Sequence, residues 1–257
     1  MRFSPLPRFA LFIVGIFLTL AGLVPLPYVV LQPGGGADVL EKMITIEGAP
    51  TYPTSGKLLL VTVLATSPGS PIFGANVLYS WAKADSIVLP RDVVYPPEQS
   101  SQQINAVNKA DMDGSQSAAT VSAFSYLEKI GTPVDPRKVK VKISVKNTGG
   151  PSGGLIFALA VVARLTPNDF LTGRTIAGTG TIDAQGVIGP IGGIDEKLIA
   201  AKRSGATVFL APTSNCDDVH HIPSGLTVYS VETLTEAISV LKDAQTSISH
   251  CTWQRNR

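Results

Sequence analysis

The sequence predicts an α/β (α+β) fold, a mixed domain over residues 56–245 preceded by one transmembrane helix over residues 9–31. Three observations carry this. A charge-free stretch, FALFIVGIFLTLAGLVPLPYVVL, runs from Phe9 to Leu31. Val139, Val141, Ile143 and Val145 alternate with Lys138, Lys140, Lys142, Ser144 and Lys146, the period of a half-buried strand, and Leu155 to Ala163 then reads as a buried helix. From Thr175 to Leu241 short strand patterns are interleaved with helix patterns, which excludes an all-helical or all-strand domain.

At about 1.5 Å per residue the Phe9–Leu31 stretch is long enough for a bilayer core of about 30 Å. Arg2 and Arg8 precede it, and the first charges after it are Asp38, Glu41 and Lys42. The positive-inside rule therefore makes residues 1–8 a cytoplasmic tail and puts everything after residue 31 outside. The stretch outruns a signal-peptide h-region and no A-x-A site follows, so an uncleaved anchor is expected. Residues 32–55 read as a linker, with Pro33-Gly34-Gly35-Gly36 as a flexible step.

Lys57 opens LLLVTVLAT, a buried strand. Prolines, glycines and serines break the pattern from Ser67 to Gln103, leaving loops and a short helix near Val77 to Ala84. A helix from Ser115 stops at Gly131 with Pro133 beyond. Thr175–Ile182 gives a strand, Asp183-Ala184-Gln185-Gly186 a turn and Val187-Ile188 its return. A second glycine cluster, Gly189 to Gly193, feeds the helix IDEKLIAAKRSG, which Gly205 caps. Val208–Leu210 and Thr227–Val231 are short strands, and Leu234, Ala237, Ile238 and Leu241 form the stripe of a last helix. The sheet they build looks antiparallel, and residues 246–257 read as a tail.

Composition narrows the function. With 257 residues, 44% apolar and a net charge of +2, the chain can bury one sizeable core but has no basic run interleaved with aromatics, so nucleic acid is not an expected partner. The absence of G-x-x-x-x-G-K-[ST] argues against nucleotide-triphosphate hydrolysis, and no cofactor is expected. Cys216, Asp217, Asp218, His220 and His221 lack the spacing of a zinc site, so no metal is expected either.

Gly149-Gly150-Pro151-Ser152-Gly153-Gly154 lies where strand gives way to helix, a place for an anion cradle, a helix cap or a nucleophile beside an oxyanion pocket. On a wheel at about 100° per residue, Ile194, Leu198 and Ala201 form the apolar stripe. Asp195, Glu196, Lys202 and Arg203 lie on the charged face and Lys197 falls off it, with no carboxylate at i±3 or i±4. A lysine desolvated there loses basicity and becomes a general base; one that snorkels to water does not. Gly150 to Gly154 also fits G-x-S-x-G, with Asp183 or Asp217 and His220, His221 or His250 following in the order of a Ser-His-Asp hydrolase. Against that reading, lysines line one side of the strand and no H-G-G-G loop precedes it.

GGPSGG together with TGRTIAGTGTIDAQGVIGPIGGIDEKLIAAKRSGATVFLAP resembles the proteolytic domain of Lon proteases, with its P-S-A-G, T-G-E and glycine-pair E-K blocks in order. Met112 to Gln116 is similar to the family's M-x-x-S-x segment, and LPYVVLQPGG to the post-membrane segment of membrane-anchored bacterial Lon-like proteases. The resemblance implies a Ser-Lys dyad of Ser152 and Lys197, 197 − 152 = 45 residues apart, with Thr179 orienting the lysine and Gly150, Pro151 and Gly153 shaping the turn. It implies a membrane-anchored, ATP-independent serine endopeptidase acting on unfolded or extended polypeptide outside the cytoplasm, and by analogy a hexameric ring. The rival is a silent relative serving as an anchored peptide-binding or assembly module.

Three positions depart from the family: Gly153 replaces an alanine, Asn147 stands where many relatives carry aspartate, and Thr181 replaces the glutamate of T-G-E. Gly131 to Arg137 leaves no room for the PDZ domain that such proteins commonly carry. Cys216 and Cys251, the two cysteines, are available outside the membrane for a disulfide tying the tail to the domain, with no geometry in the sequence to decide it.

Overall fold

The computed structural model describes residues 7–83, 85–145, 148–242 and 248–252. The chain divides into two compact units, residues 1–32 with 64–104 and residues 33–63 with 105–257.

The first unit opens with helix α1, Arg8–Leu23, and strand β1, Pro25–Leu26. This corrects the expected span. Pro25 and Pro27 fix φ and lack an N–H, so the chain leaves the helix at Val24 (φ −70°, ψ 127°). What remains is 16 residues, about 24 Å at 1.5 Å per residue, short of a core of about 30 Å. No helix among the described residues is long and apolar enough to cross a membrane. Residues 28–31, expected inside the bilayer, begin strand β2, Tyr28–Asp38, whose later residues belong to the second unit.

Pro33 to Gly36 is likewise strand rather than a flexible step. A Cβ on Gly34 would meet the Thr62 carbonyl oxygen at 2.6 Å, so the glycine permits a close backbone approach. Together with β2, helix α2 (Val39–Lys42) and strand β3 (Ile44–Glu47) fill most of what was expected to be linker. Strand β4 is Lys57–Ala65. The first unit then adds β5 (Ile72–Phe73), α3 (Gly74–Ala82), β6 (Ile87–Pro90) and α4 (Arg91–Val94), with β1 antiparallel to β5 and β2 to β6.

In the second unit, helix α5 is Ser101–Lys129, 29 residues long and begun within the first unit. Its N-terminal half carries no apolar stripe, which is why the sequence pattern shows it only from Ser115. Strand β7, Lys140–Ile143, pairs antiparallel with β3. Helix α6, Gly154–Leu165, is buried at every position but Arg164. Leu155, Ile156, Phe157 and Leu159 are fully buried in the main core, each contributing roughly 1.5–3 kcal/mol.

The expected strand Thr175–Ile182 is two strands, β8 (Thr175–Gly178) and β9 (Thr181–Ile182), broken at Thr179-Gly180. β9 forms a hairpin with β10 (Ile188–Gly189), and α7 follows as Ile194–Arg203. Next come β11 (Val208–Pro212), a 3₁₀ turn at Thr213–Asp218, β12 (Thr227–Val231) and α8 (Leu234–Lys242). The sheet runs β12-β11-β8-β4-β2. Contrary to the antiparallel expectation, β4, β8, β11 and β12 are mutually parallel. Their continuous apolar runs, rather than alternation, mark strands covered on both faces.

Candidate active site

The serine turn is held from two sides, by α5 and by the break between β8 and β9. Gly150, at φ +86° where a side chain would be strained, donates its N–H to Asn108 O at 2.9 Å. Ser115 Oγ, on α5, donates to Pro151 O at 2.9 Å. Ser152 O accepts from Gly180 N at 2.9 Å and from Thr179 Oγ1 at 3.1 Å, and Leu155 N donates to Gly180 O at 3.1 Å. The break between β8 and β9 thus clasps the turn. Gly153, not Ser152, is the N-cap of α6, and no side chain caps that helix. The Ser152 hydroxyl makes no hydrogen bond among the described residues, and the Ser152 and Gly153 amides donate to no backbone carbonyl there. A half-buried hydroxyl therefore stands beside two free amides at a helix N-terminus, an arrangement suited to holding an oxyanion.

Lys197 comes from α7 to the same Thr179 that bonds the Ser152 carbonyl, and among the described residues its ammonium makes no direct hydrogen bond to the Ser152 hydroxyl. Gly193, at φ +68°, starts that helix, and the Lys197 N–H donates to Gly193 O at 3.1 Å. The side chain is only 4% exposed, so it does not snorkel. Its Nζ donates to Thr179 Oγ1 at 3.0 Å, and that hydroxyl donates on to Ser152 O. Burial pulls the ammonium down to about 8, against an opposing pull from the Glu196 carboxylate. At pH 7 roughly a tenth of such lysines are neutral, hundreds of times more than for an ordinary one.

Glu196, assigned by the wheel to the charged face, is 2% exposed. Its first-turn position tucks it back toward Gly193, whose added Cβ would lie 3.3 Å from Oε2, and burial raises its carboxyl above the usual range.

The Ser-His-Asp alternative is not assembled. His220 Nδ1 lies 3.0 Å from Asp195 Oδ2, and the His221 N–H turns to the same aspartate. His250 is packed on Tyr229, with ring centroids 4.4 Å apart. Asp183 accepts from the amides of its own turn, Gln185 and Val187. None of them bonds to Ser152.

Thr181 lies in β9 opposite Gly189. Asn147 falls outside the described residues. A disulfide joins Cys216 to Cys251, with Cα atoms 5.0 Å apart. At Gly153, where the family carries alanine, a Cβ would lie 2.8 Å from the Phe157 ring, so that ring already occupies the methyl's space. Two groups that hold the turn are not foreseen as such in the sequence. Ser115 enters there only as the serine of the M-x-x-S-x resemblance, with no role attached, and Asn108 lies in the half of α5 that shows no pattern.

A polar cleft of about 430 Å³ leads away from the turn, lined by α5 (Asn108, Met112, Gln116) on one side and by Ile143, Ser144, Val145, Thr148 and Gly149 on the other. A second cleft shares Asp113, Gln116 and Ile143 with it and extends along β7 to Val141. The β3–β7 register, with Ser144 N donating to Met43 O, turns the backbone groups of Val141 and Ile143 away from β3, toward these clefts.

Residues 97–245 match the Lon protease (S16) C-terminal proteolytic domain. The chain is 34% identical over 138 residues to the Lon protease of Buchnera aphidicola, covering 50% of this chain and 18% of that one. It is 35% identical over 130 residues to Lon protease 1 of Bacillus subtilis (46% and 16%), and 38% over 93 residues to the Lon protease of Haemophilus influenzae (35% and 11%). The chain thus spans less than a fifth of the length of these relatives. The domain match takes in more than half of the 257 residues, and the chain belongs to the Lon protease (S16) C-terminal proteolytic domain family.

Proposed function

We propose that the protein is an ATP-independent serine endopeptidase in which Ser152 is the nucleophile and Lys197 the general base. The observation that carries this is the chain of contacts from the buried Lys197 ammonium through Thr179 to the Ser152 carbonyl. Neutral Lys197 takes the proton of Ser152 Oγ as that oxygen attacks a peptide carbonyl, and the Ser152 and Gly153 amides stabilise the oxyanion. The C–N bond breaks as Lys197 returns the proton to the leaving amine. Water, deprotonated by the same lysine, then releases the acyl group from Ser152.

The substrate is an extended polypeptide lying in the cleft between α5 and β7, where the outward backbone groups of Val141 and Ile143 give a strand something to pair with. Two observations support an extracytoplasmic, membrane-held location: the Cys216–Cys251 disulfide, and helix α1, in which no residue is buried.

Trapping the intermediate tests the mechanism. A peptide p-nitrophenyl ester, acid-quenched during turnover, leaves its acyl group on Ser152 in a peptide map. An acyl group on another residue contradicts the assignment. Replacing His220, His221 and His250 together by alanine leaves turnover near wild type.

A further inference from the structure

The helix that carries Lys197 is entered through Gly189–Gly193, a segment with little to hold it by itself: one proline, three glycines and Ile191. Ile191 is gripped by one side chain. Asn215, 3% exposed in the 3₁₀ turn after β11, accepts from Ile191 N at 2.9 Å and donates through Nδ2 to Ile191 O at 2.9 Å. The same Nδ2 donates to Asp218 Oδ2 at 3.0 Å, which fixes the orientation of the amide. Pairing donor and acceptor of one side chain with donor and acceptor of one backbone residue sets both the position and the tilt of that residue. The turn bearing Asn215 is itself anchored. Thr213 Oγ1 lies 2.7 Å from Ser230 Oγ on β12, and the disulfide ties Cys216 to Cys251, whose N–H donates to Val228 O at 3.1 Å.

Resting on the dyad reading above, we infer that Asn215 is a positioning residue. It clamps Ile191, two residues before the Gly193 start of α7, and so holds the Lys197 ammonium dry and within reach of Thr179. Loss of the clamp frees the entry to α7, lets water in beside Lys197 and displaces the base from the serine. The residues acting on Lys197 are Thr179 from the end of β8 and Glu196 from its own helix.

The test is Asn215→Ala in the full chain, with steady-state kinetics against pH on an unfolded protein substrate and amide hydrogen exchange. The clamp predicts a kcat lower by about tenfold with KM within about twofold, since the reacting groups rather than the substrate groove are misplaced. It also predicts that the pH midpoint of kcat/KM moves up toward that of an ordinary lysine, and that amides 191–197 exchange at least about tenfold faster while those of α6 do not change. An unchanged midpoint with unchanged exchange at 191–197 overturns the inference, whatever happens to overall stability. Should Asn215→Ala fail to fold, Asn215→Asp, which keeps the acceptor for Ile191 N–H but loses the donor, carries the same measurements with smaller shifts in the same directions. The exchange arm is run in Ser152→Ala protein. If the wild type proves not to be a peptidase, the dyad reading falls and the exchange still decides the clamp.

Discussion

At the scale of single residues, Lys197 makes the sharpest commitments. Only its neutral form accepts a proton, so kcat/KM rises with pH and levels off above about 8. The carboxylate of Glu196 favours the ammonium, so Glu196→Gln lowers the midpoint and shifts activity toward lower pH; a pH–rate profile reads both. Stability moves with the same proton. The unfolded lysine titrates near 10.4 and the folded one at about 8, so between those values the unfolded chain binds more protons and stability rises with pH. Lys197→Met removes that rise and, at pH 7, is more stable than wild type by roughly 2–3 kcal/mol in denaturant titrations, while inactive. At Gly153, the family's alanine is not an improvement here. Gly153→Ala drives a methyl against Phe157 in a full core, costing about 1–3 kcal/mol in the same titrations and lowering kcat. The turn and the wheel leave Ser152 open between cap and nucleophile and Lys197 open between a snorkelling and a buried side chain; the structure buries the lysine, and its pairing with Ser152 comes from the resemblance. The burial of Glu196 was not legible, because a first-turn side chain is aimed by what lies beyond the helix end, which a wheel does not represent.

At the scale of elements, the apolar strand and helix runs were readable wherever packing dictates composition: β4, α6, α7, β12 and α8 lie close to where periodicity put them. Elements whose faces are set by distant partners were not. The strand Thr175–Ile182 looks continuous, yet it opens at Thr179-Gly180: the Thr179 N–H still donates to Leu210 O on β11, but its hydroxyl and the Gly180 N–H turn to the Ser152 carbonyl. The hydropathy of residues 9–31 concealed a helix end, since Pro25 and Pro27 scarcely lower an average while stopping the backbone. Two measurements belong here. Reducing the Cys216–Cys251 bond, which closes a separation of 35 residues, lowers stability by roughly 2–4 kcal/mol, read as the difference between oxidised and reduced denaturation curves. Filling the cleft beside β7 with Gln116→Trp raises KM for unfolded protein substrates by about tenfold with less effect on a short peptide ester.

For the whole molecule, the proposed chemistry belongs to the second unit, which holds Ser152, Thr179 and Lys197. In the first, α1 presents Phe9, Phe12, Phe17 and Leu18 to the surroundings, each more than 60% exposed. The proposed location has the full chain float with lipid vesicles and lose that association when Phe12, Phe17 and Leu18 are changed to serine. The most direct test of the central claim is cleavage of an unfolded casein-like substrate by wild type, Ser152→Ala and Lys197→Ala without ATP. The dyad predicts turnover by wild type and losses of at least about 10³-fold in each variant; equal activity in all three would contradict it.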